Sequence, residues 1–333
     1  MSAKPVILVT GADLAPQAVA LLADYEMVYA GATPSPDELL RLTSQHNPTA
    51  IIVRFGGVTP VIMDAAPALK VISKHGSGTD TIDKQAAAER NIKVVAAVGS
   101  NAAAVAEQAL ALTLACAKSV VKLHARMQAG HWDKATHKNV ELNGKTIGLI
   151  GLGAIGQKFA RMVDALDMRV LGFDPYAKDL PRYIQPSDLD TIWRESDVLS
   201  FHCPLTADNR NMLNARTLAQ CRKGVIVVNT ARGGLIDEPA LLAAVQSGQV
   251  AMAGLDSFAV EPLPVPHVFR HQERIILSPH MGGTTSDAVV SMGVAAARNI
   301  LAAMNDSERA TCSSGKSVAG RRSNADVVDD NVG

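Results

Sequence analysis

The sequence predicts an α/β protein built from two doubly wound parallel-sheet domains. Two observations carry this prediction. Short apolar runs that fit buried strands alternate with segments of helical periodicity, first over residues 1–100 and again from Thr146 onward. A length of 333 residues also suits two domains of about 150 residues each, and a hydrophobic content of 47% is enough for two cores.

The first series of elements is predicted to end in a long helix. It contains predicted strands at Val6–Val9, Ala50–Val53, Lys70–Ser73 and Lys93–Val95, with helices near Ala15–Ala23, Pro36–Gln45 and Lys84–Arg90. The long helix begins at Ser100 or Asn101, both suitable N-cap residues, and ends at Gly130. At a rise of 1.5 Å per residue it would span roughly 40 Å, enough to connect two domains.

The second series predicts a further parallel sheet. Its predicted strands are Thr146–Ile150, Arg169–Phe173, Val198–Phe201, Gly224–Asn229, Met252–Leu255 and Ile275–Leu277. A last helix is predicted near Ser286–Met304. The segment 306–333 then loses the apolar pattern and is rich in Ser, Arg and Asp, which predicts a disordered tail.

The composition argues against several classes of protein. The formal net charge is zero, whereas binding to nucleic acid or to an anionic membrane surface favours a basic excess. The first ten residues lack the basic and apolar regions of a signal peptide, and the apolar stretch around Ala109–Ala117 is too short to cross a bilayer. Four cysteines without a CxxC pair predict neither a metal site nor a disulfide framework. We therefore expect a cytoplasmic protein with no nucleic-acid or membrane partner.

One loop has the spacing of a dinucleotide-binding site. Gly151, Gly153 and Gly156 form G-x-G-x-x-G directly after the predicted strand Thr146–Ile150. The first glycine permits a tight turn, the second lets a pyrophosphate approach the backbone, and the third lets strand and helix pack closely. Asp174 ends the next strand, where a carboxylate accepts hydrogen bonds from ribose hydroxyls and repels a 2′-phosphate. The alternative is a glycine-rich turn without a ligand, but the full context predicts a Rossmann domain that binds NAD.

Three ionisable residues follow later strands of this second series. Arg232 comes after Val225–Thr230, Glu261 lies five residues beyond Asp256, and His280 follows Ile275–Leu277. Ligands bind at the carboxyl ends of strands in open α/β sheets. Reduction of a ketone needs a proton donor, which a histidine supplies near neutral pH, and an arginine binds a carboxylate through two hydrogen bonds.

A carboxylate beside the histidine would raise its pKa. Taken singly, each of the three residues also fits a surface ion pair. Their joint position after a dinucleotide fold favours catalysis.

Seven motifs resemble the D-isomer-specific 2-hydroxyacid dehydrogenase family, especially its phosphoglycerate dehydrogenase branch. They cover about residues 50–300 and are Lys74–Asp83, Asn101–Glu107, Gly151–Gly156, His202–Thr206, Asn229–Asp237, Asp256–Pro262 and Pro279–Gly283. The resemblance departs from the usual pattern at Lys74 and Thr81, where the family commonly has Arg and Asn.

The resemblance implies a domain organisation and a set of roles. A flavodoxin-like substrate domain would use residues 1–100 and 284–305, a Rossmann domain would use 101–283, and substrate would bind in the cleft between them. Arg232 would orient substrate, Glu261 would tune the histidine, and His280 would act as the acid–base group. Cofactor contacts would come, besides the three glycines, from Ala154, Ile155, Asp174, Cys203, Pro204, Thr230, Ala231, Asp256 and Gly282. Family members are usually homodimers built through the nucleotide domains.

The substrate is left open by the sequence. The resemblance implies that Ser77 and Gly78 offer backbone N–H groups to a substrate carboxylate and that Arg54 and Lys74 approach its distal end. Basic residues there would suit 3-phosphoglycerate, although both could equally be solvated loop charges. The alternatives are a hydroxypyruvate or glyoxylate reductase and a non-catalytic, NAD-sensing protein of the corepressor type.

Overall fold

The structure, a computed structural model, describes residues 3–315, with side chains described up to residue 305. It divides into two compact units. Unit 1 contains the residues up to Ala97 and those from Gly293 onward, and unit 2 is Val98–Met292. The sequence placed these boundaries at 100/101 and 283/284, whereas the structure places the second one inside the last helix.

Unit 1 is built on a five-stranded parallel sheet. Its strands are β1 (Val6–Val9), β2 (Glu26–Tyr29), β3 (Ala50–Val53), β4 (Val71–Lys74) and β5 (Lys93–Ala96), in the order β2-β1-β3-β4-β5. Its helices are α1 (Pro16–Leu21), α2 (Pro36–His46), α3 (Pro60–Asp64) and α4 (Lys84–Glu89), with the last helix of the chain, Ser286–Gly315, continuing into it. This strand order is that of flavodoxin-like folds.

The last helix packs into unit 1 with an apolar face. Ala296, Ala297 and Ile300 are fully buried. Ser73 Oγ donates a hydrogen bond to the Ala296 carbonyl at 3.0 Å, and Asn299 Nδ2 donates to the Ala96 carbonyl at 2.9 Å. These contacts are typical of a core helix.

Two stretches of the described residues have the length and composition of a membrane span. One is Ser286–Asn305 in the last helix, with 39% of its apolar window buried inside the structure. The other is a bent pair of helices, Ala102–Ala117 and Val120–Gln128, if the two are counted as one span. Core helices of globular domains meet the same criterion.

Unit 2 contains a seven-stranded parallel sheet. Its strands are β6 (Thr146–Ile150), β7 (Arg169–Phe173), β8 (Ile184–Pro186), β9 (Val198–Phe201), β10 (Val225–Asn229), β11 (Val250–Leu255) and β12 (Ile275–Leu277). The helices are α5 (Ala102–Ala117), α6 (Val120–Gln128), α7 (Ala154–Asp164), α8 (Leu189–Glu195), α9 (Ala215–Gln220) and α10 (Glu238–Ser247), with the last helix, α11, starting at Ser286. Short 3₁₀ turns lie at Asp133–Ala135 and Gly233–Leu235.

The strand order β12-β11-β10-β9-β6-β7-β8 places β6 at the centre of this sheet. Each face carries its own core. Helices α5 and α7 cover one face with residues such as Leu112 and Phe159, and α8–α10 cover the other with residues such as Trp193 and Leu241. Strands β7 and β8 lie on one side of β6, and strands β9 to β12 lie on the other. The strand order therefore reverses at β6, and the loops after β6 and β9 form the switch point where ligands bind in such folds.

Two of the predicted helices differ in the structure. The long helix predicted up to Gly130 is two helices, α5 and α6, bent by 58° where Ser119 adopts a left-handed φ of 49°. Neither Gly nor Pro marks this break. The last helix extends to Gly315, into the segment predicted to be disordered, because Ala, Glu and Arg continue to favour helix there. The rest of that segment, 316–333, lies outside the described residues.

Two strands were not predicted from the sequence, β2 and β8. Both lie at sheet edges, and β8 is only three residues long and ends in a proline. The other two edge strands, β5 and β12, were predicted, so the edge position alone is not the reason. β2 is exposed at both ends and β8 at two of its three residues, so neither has the continuous apolar run of a buried strand.

Candidate active site

The glycine loop after β6 is shaped by close backbone packing. Gly151 has a φ of 97°, and a Cβ atom there would lie 2.6 Å from the backbone nitrogen of Cys203. A Cβ atom on Gly156 would lie 2.1 Å from the Gly151 carbonyl oxygen. Both glycines are therefore required by the protein itself.

Gly153 is different, because a Cβ atom there would meet nothing within 4 Å. It is the N-cap of α7, and Ala154 and Ile155 form the first turn of that helix. The space beside Gly153 thus faces the positive end of a helix, the arrangement that binds pyrophosphate groups.

Asp174 lies beside this loop at the end of β7. Its Oδ2 atom accepts a hydrogen bond from the Leu152 N–H at 2.8 Å, and its Oδ1 atom accepts one from the Tyr176 N–H at 2.9 Å. An open groove of about 670 Å³ runs alongside, lined in part by Phe173, Ala177 and Arg182. The carboxylate therefore supports the loop and borders a space large enough for part of a nucleotide.

The ends of β9 and β10 supply the other residues predicted to contact the cofactor. Burial raises the pKa of the Cys203 thiol to about 11, and the negative charge of nearby Asp174 adds to this rise. The thiol therefore remains a neutral, apolar group. Pro204 follows it, and the Pro204 carbonyl accepts a hydrogen bond from Asn209 Nδ2 at 2.8 Å.

Thr230 follows β10, and its Oγ1 atom is buried without a hydrogen-bond partner among the described residues. Buried hydroxyls are normally paired, so this atom is suited to a polar group of a ligand. The open space at Gly153, the carboxylate of Asp174 beside it and the unpaired buried hydroxyl of Thr230 together fit a dinucleotide.

Glu261 and His280 lie in contact at the carboxyl edge of the same sheet. Glu261 Oε2 is 2.7 Å from His280 Nδ1, and Glu261 Oε1 accepts a hydrogen bond from the Phe258 N–H at 2.9 Å. The two side chains are 35% and 48% exposed, respectively. Because Nδ1 is the nitrogen that meets the glutamate, Nε2 is the nitrogen available to a substrate.

The pair shifts both pKa values toward the charged forms. The hydrogen bond from Glu261 raises the pKa of His280 against the opposing effect of burial, with Asp256 adding to the rise and Arg232 reducing it. Partial burial disfavours the ionised form of Glu261, but the hydrogen bonds from His280 and from the Phe258 N–H outweigh it and lower its pKa. His280 is therefore held closer to its imidazolium form than a free histidine.

Asp256 fixes the backbone beside His280. Its buried carboxylate accepts hydrogen bonds from the Met281 and Gly282 N–H groups, both at 2.8 Å. His280 itself has a left-handed φ of 54°. Both oxygens of Asp256 therefore help to hold the backbone next to His280, and its predicted contact with the cofactor stays a prediction.

Arg232 lies at the N-cap of the 3₁₀ turn after β10. Its Nη1 atom donates to the Ala231 carbonyl at 2.7 Å, and its own carbonyl accepts from Asn229 Nδ2 at 2.9 Å. Its charge affects the pKa values of both Glu261 and His280. The three residues predicted to be catalytic therefore share one small region of unit 2.

In unit 1, Arg54 follows β3 and Lys74 is the last residue of β4. The Arg54 guanidinium donates hydrogen bonds to the Asp13 carboxylate and to the Asp13 carbonyl, and its side chain is only 14% exposed. Lys74 Nζ donates to the Arg54 carbonyl at 3.2 Å. Ser77 and Gly78 are half-buried in the turn after β4. Asp13 was not among the predicted site residues, although its position just after β1 is the strand-end signal that identified Arg54.

Glu238 and His267 were not predicted either, and they pair the start of α10 with the loop that carries Glu261. Glu238 Oε2 is 3.3 Å from His267 Nε2. Glu238 immediately follows the N-cap Asp237. An acidic residue in the first turn of a helix is common, because it interacts favourably with the helix dipole, so nothing in the sequence marks Glu238 as a functional residue.

A dinucleotide cradle and a carboxylate–imidazole pair at one sheet edge define an NAD-dependent dehydrogenase. The comparisons with known proteins identify its family. A profile described as "D-isomer specific 2-hydroxyacid dehydrogenase, NAD binding domain" matches residues 110–282, just over half of the chain.

Two curated relatives and one solved structure are similar over most of the chain. Hydroxypyruvate reductase of Thermotoga maritima is 40% identical over 78% of this chain and 85% of its own length. D-3-phosphoglycerate dehydrogenase of Mycobacterium leprae is 36% identical over 90% of this chain, but the match spans only 57% of that longer protein. The crystal structure of the TT0316 protein of Thermus thermophilus has a TM-score of 0.83 at 33% identity and covers 90% of this chain and 97% of its own.

The chain belongs to the D-isomer-specific 2-hydroxyacid dehydrogenase family. The fold class, the enzyme class and the NAD cofactor predicted from the sequence are confirmed.

Proposed function

We propose that the chain interconverts a small D-2-hydroxy acid and its 2-keto acid, with His280 as acid–base group, Glu261 as its partner and Arg232 as the cation that binds the substrate carboxylate. The 2.7 Å contact between Glu261 Oε2 and His280 Nδ1 carries this proposal. It lies at the same sheet edge as the glycine loop, because all seven strands are parallel.

Each of these residues has its own role during reduction of the keto acid. When bound, NADH supplies the hydride for the keto carbon. Protonated His280 donates from Nε2 to the oxygen as negative charge develops there, and the raised pKa of His280 keeps more of it protonated near neutral pH. Arg232 holds the substrate carboxylate, since a guanidinium can make two parallel hydrogen bonds to it. In the oxidation direction neutral His280 accepts the hydroxyl proton.

The substrate proposed is an unphosphorylated 2-keto acid such as hydroxypyruvate or glyoxylate. A phosphate at the distal end of the substrate would need positive charge, and Arg54 is the first candidate from the sequence. The charge of its guanidinium is already neutralised by the ion pair with Asp13. A substrate phosphate would therefore have to displace the Asp13 carboxylate or bind beside it against charge repulsion. The 40% identity to a protein named hydroxypyruvate reductase agrees with this substrate.

The second candidate is 3-phosphoglycerate. Lys74 places a cation beside Arg54, and the relative named D-3-phosphoglycerate dehydrogenase matches 90% of this chain. The roles of Arg54, Lys74, Ser77 and Gly78 in substrate binding remain predictions.

The experiment that separates the candidates is NADH oxidation with hydroxypyruvate, glyoxylate and 3-phosphohydroxypyruvate. We expect the highest kcat/KM with an unphosphorylated acid. Asp13→Asn should raise kcat/KM for the phosphorylated acid by roughly tenfold, because hydrogen bonds to charged groups are worth about 1.5–3 kcal/mol. It should leave glyoxylate unaffected. Asp24→Asn, at another exposed acid of unit 1, is the control.

A wild-type preference for the phosphorylated acid would contradict the substrate proposed. NADH binding without turnover of any 2-keto acid would instead favour the NAD-sensing alternative.

The chain is also proposed to form a homodimer through α6. That helix buries none of its side chains, and Val120, Val121 and Met127 are exposed, as is Trp132 just beyond it. Such an apolar surface is typical of an interface. Light scattering should show a dimer that Met127→Lys combined with Trp132→Glu converts to monomer, and a monomeric wild type would contradict the proposal. A cytoplasmic location also remains a prediction.

A further inference from the structure

The loop that carries Glu261 is attached to the start of α10. Glu238, the first residue of that helix, accepts a hydrogen bond from the Ala259 N–H through Oε1 at 2.9 Å. Its Oε2 atom meets His267 Nε2 at 3.3 Å. Both side chains are about 15% exposed. One carboxylate therefore holds the loop on both sides of Glu261.

The histidine of this pair has a defined tautomer. His267 Nδ1 accepts a hydrogen bond from the Phe269 N–H at 3.3 Å. The ring proton is therefore on Nε2, which donates a hydrogen bond to Glu238. The His267 ring also packs edge-on against Phe269, which is buried in the core of unit 2. The far end of the loop is thus anchored in the core through His267.

The near end of the loop is packed equally closely. A Cβ atom on Gly233 would lie 1.9 Å from the Phe258 carbonyl carbon, so Phe258 rests directly on the turn that begins at Arg232. The Phe258 N–H in turn donates to Glu261. A displacement of Ala259 would therefore move the residues that orient the Glu261 carboxylate.

From these contacts we infer that Glu238 and His267 are positioning residues for Glu261, which fix the loop so that its carboxylate meets His280. This inference rests on the proposed acid–base role of His280. The charged groups that act on His280 are Glu261, Asp256 and Arg232, and Glu238 is not one of them. Glu238 therefore acts on His280 through Glu261.

The test measures the pKa of His280 by NMR titration of the full-length protein, in a double-mutant cycle. Glu238→Ala should lower the pKa of His280 toward its value in Glu261→Gln, but not below that value, because the Glu261–His280 contact is loosened. In the Glu261→Gln background Glu238→Ala should cause no further shift, since residues that act through one contact are not additive. Activity should fall in parallel on the alkaline side of the profile, with the Kd for NADH unchanged.

Two further variants keep the test independent of folding. Glu238→Gln can still accept from the Ala259 N–H but presents an amide N–H to His267, so it should shift the pKa less than Glu238→Ala does. His267→Gln can donate to Glu238 as the ring does and should largely preserve the wild-type pKa, whereas His267→Ala should lower it. Glu195→Gln, at an ion pair with Arg169 elsewhere in unit 2, is the matched control.

An unchanged His280 pKa in folded Glu238→Ala would overturn the inference, as would a further fall in the double variant. Because the pKa is read without turnover, these outcomes are separate from a failure of the proposed function, which the wild type alone would reveal by lacking activity.

Discussion

Glu261→Gln should move the pH profile of the reaction without abolishing it. The ionised glutamate favours the imidazolium form of His280, so the neutral amide should lower the pKa of His280. Reduction requires protonated His280 and fails above its pKa, so the alkaline limb should shift to lower pH. Oxidation requires neutral His280 and fails below its pKa, so the acidic limb should shift in the same direction.

The size of the shift follows from the exposure of the pair. Unit charges about 4 Å apart interact with about 1 kcal/mol in water and about 4 kcal/mol at the effective dielectric constant near a protein surface. His280 and Glu261 are 48% and 35% exposed, which places the interaction near the lower value. Since one pKa unit corresponds to about 1.36 kcal/mol, we expect a shift of about one pH unit.

The assay is kcat for keto-acid reduction from pH 6 to 10 at saturating NADH. Glu273→Gln, which breaks an exposed ion pair with Lys122 instead, should leave the profile unchanged and is the control. An alkaline limb in Glu261→Gln that coincides with that of the wild type would refute the coupling of the two side chains.

Three further experiments test the acid–base residue, the glycine loop and a buried histidine. His280→Ala should lower kcat by on the order of 10²–10⁴ while NADH binding, measured by fluorescence, persists; a variant that retained most of its turnover would contradict the acid–base role. Gly153→Ala should leave thermal stability unchanged but weaken NADH binding, because its methyl group occupies only ligand space. Gly156→Ala should instead destabilise the apoprotein by several kcal/mol, because its methyl group would lie 2.1 Å from the Gly151 carbonyl oxygen. Equal effects of the two variants in both assays would refute this distinction. Burial lowers the pKa of His202 to about 3, so the unfolded state binds a proton below pH 6.5 that the folded state excludes; the free energy of unfolding should drop by roughly 2 kcal/mol between pH 7 and 4.5, and this loss should be absent in His202→Phe.

The central strands could be predicted well because each is a continuous apolar run. The break at Ser119 could not, since a left-handed serine carries no composition signal and depends on the packing of α5 and α6. Strands β2 and β8 were missed because β2 begins with Glu26 and is exposed at both ends, and β8 is a short segment with Gln185 and Pro186 exposed, so neither shows a continuous apolar run.

The site shows the same division between local and tertiary information. Gly151, Gly153 and Gly156 could be predicted because their spacing is a local sequence motif, although the contact that excludes a side chain at Gly151 comes from Cys203, far along the chain. The pairing of Glu238 with His267, and of Arg54 with Asp13, joins residues 29 and 41 positions apart, so only the folded chain brings them together. The predicted cofactor contact of Asp256 stays a prediction, and the hydrogen bonds that its two oxygens accept from backbone amides of the His280 loop could be seen only in the folded chain.

Asp174 constrains how the cofactor preference of this enzyme can be engineered. The same carboxylate that would repel a 2′-phosphate also accepts the Leu152 N–H and so braces the glycine loop. A small apolar replacement would therefore be expected to reduce affinity for both dinucleotides rather than exchange one for the other. Redesign toward NADP would have to begin from a neutral residue that still accepts this hydrogen bond, such as asparagine, and add the phosphate-binding cation at a second position.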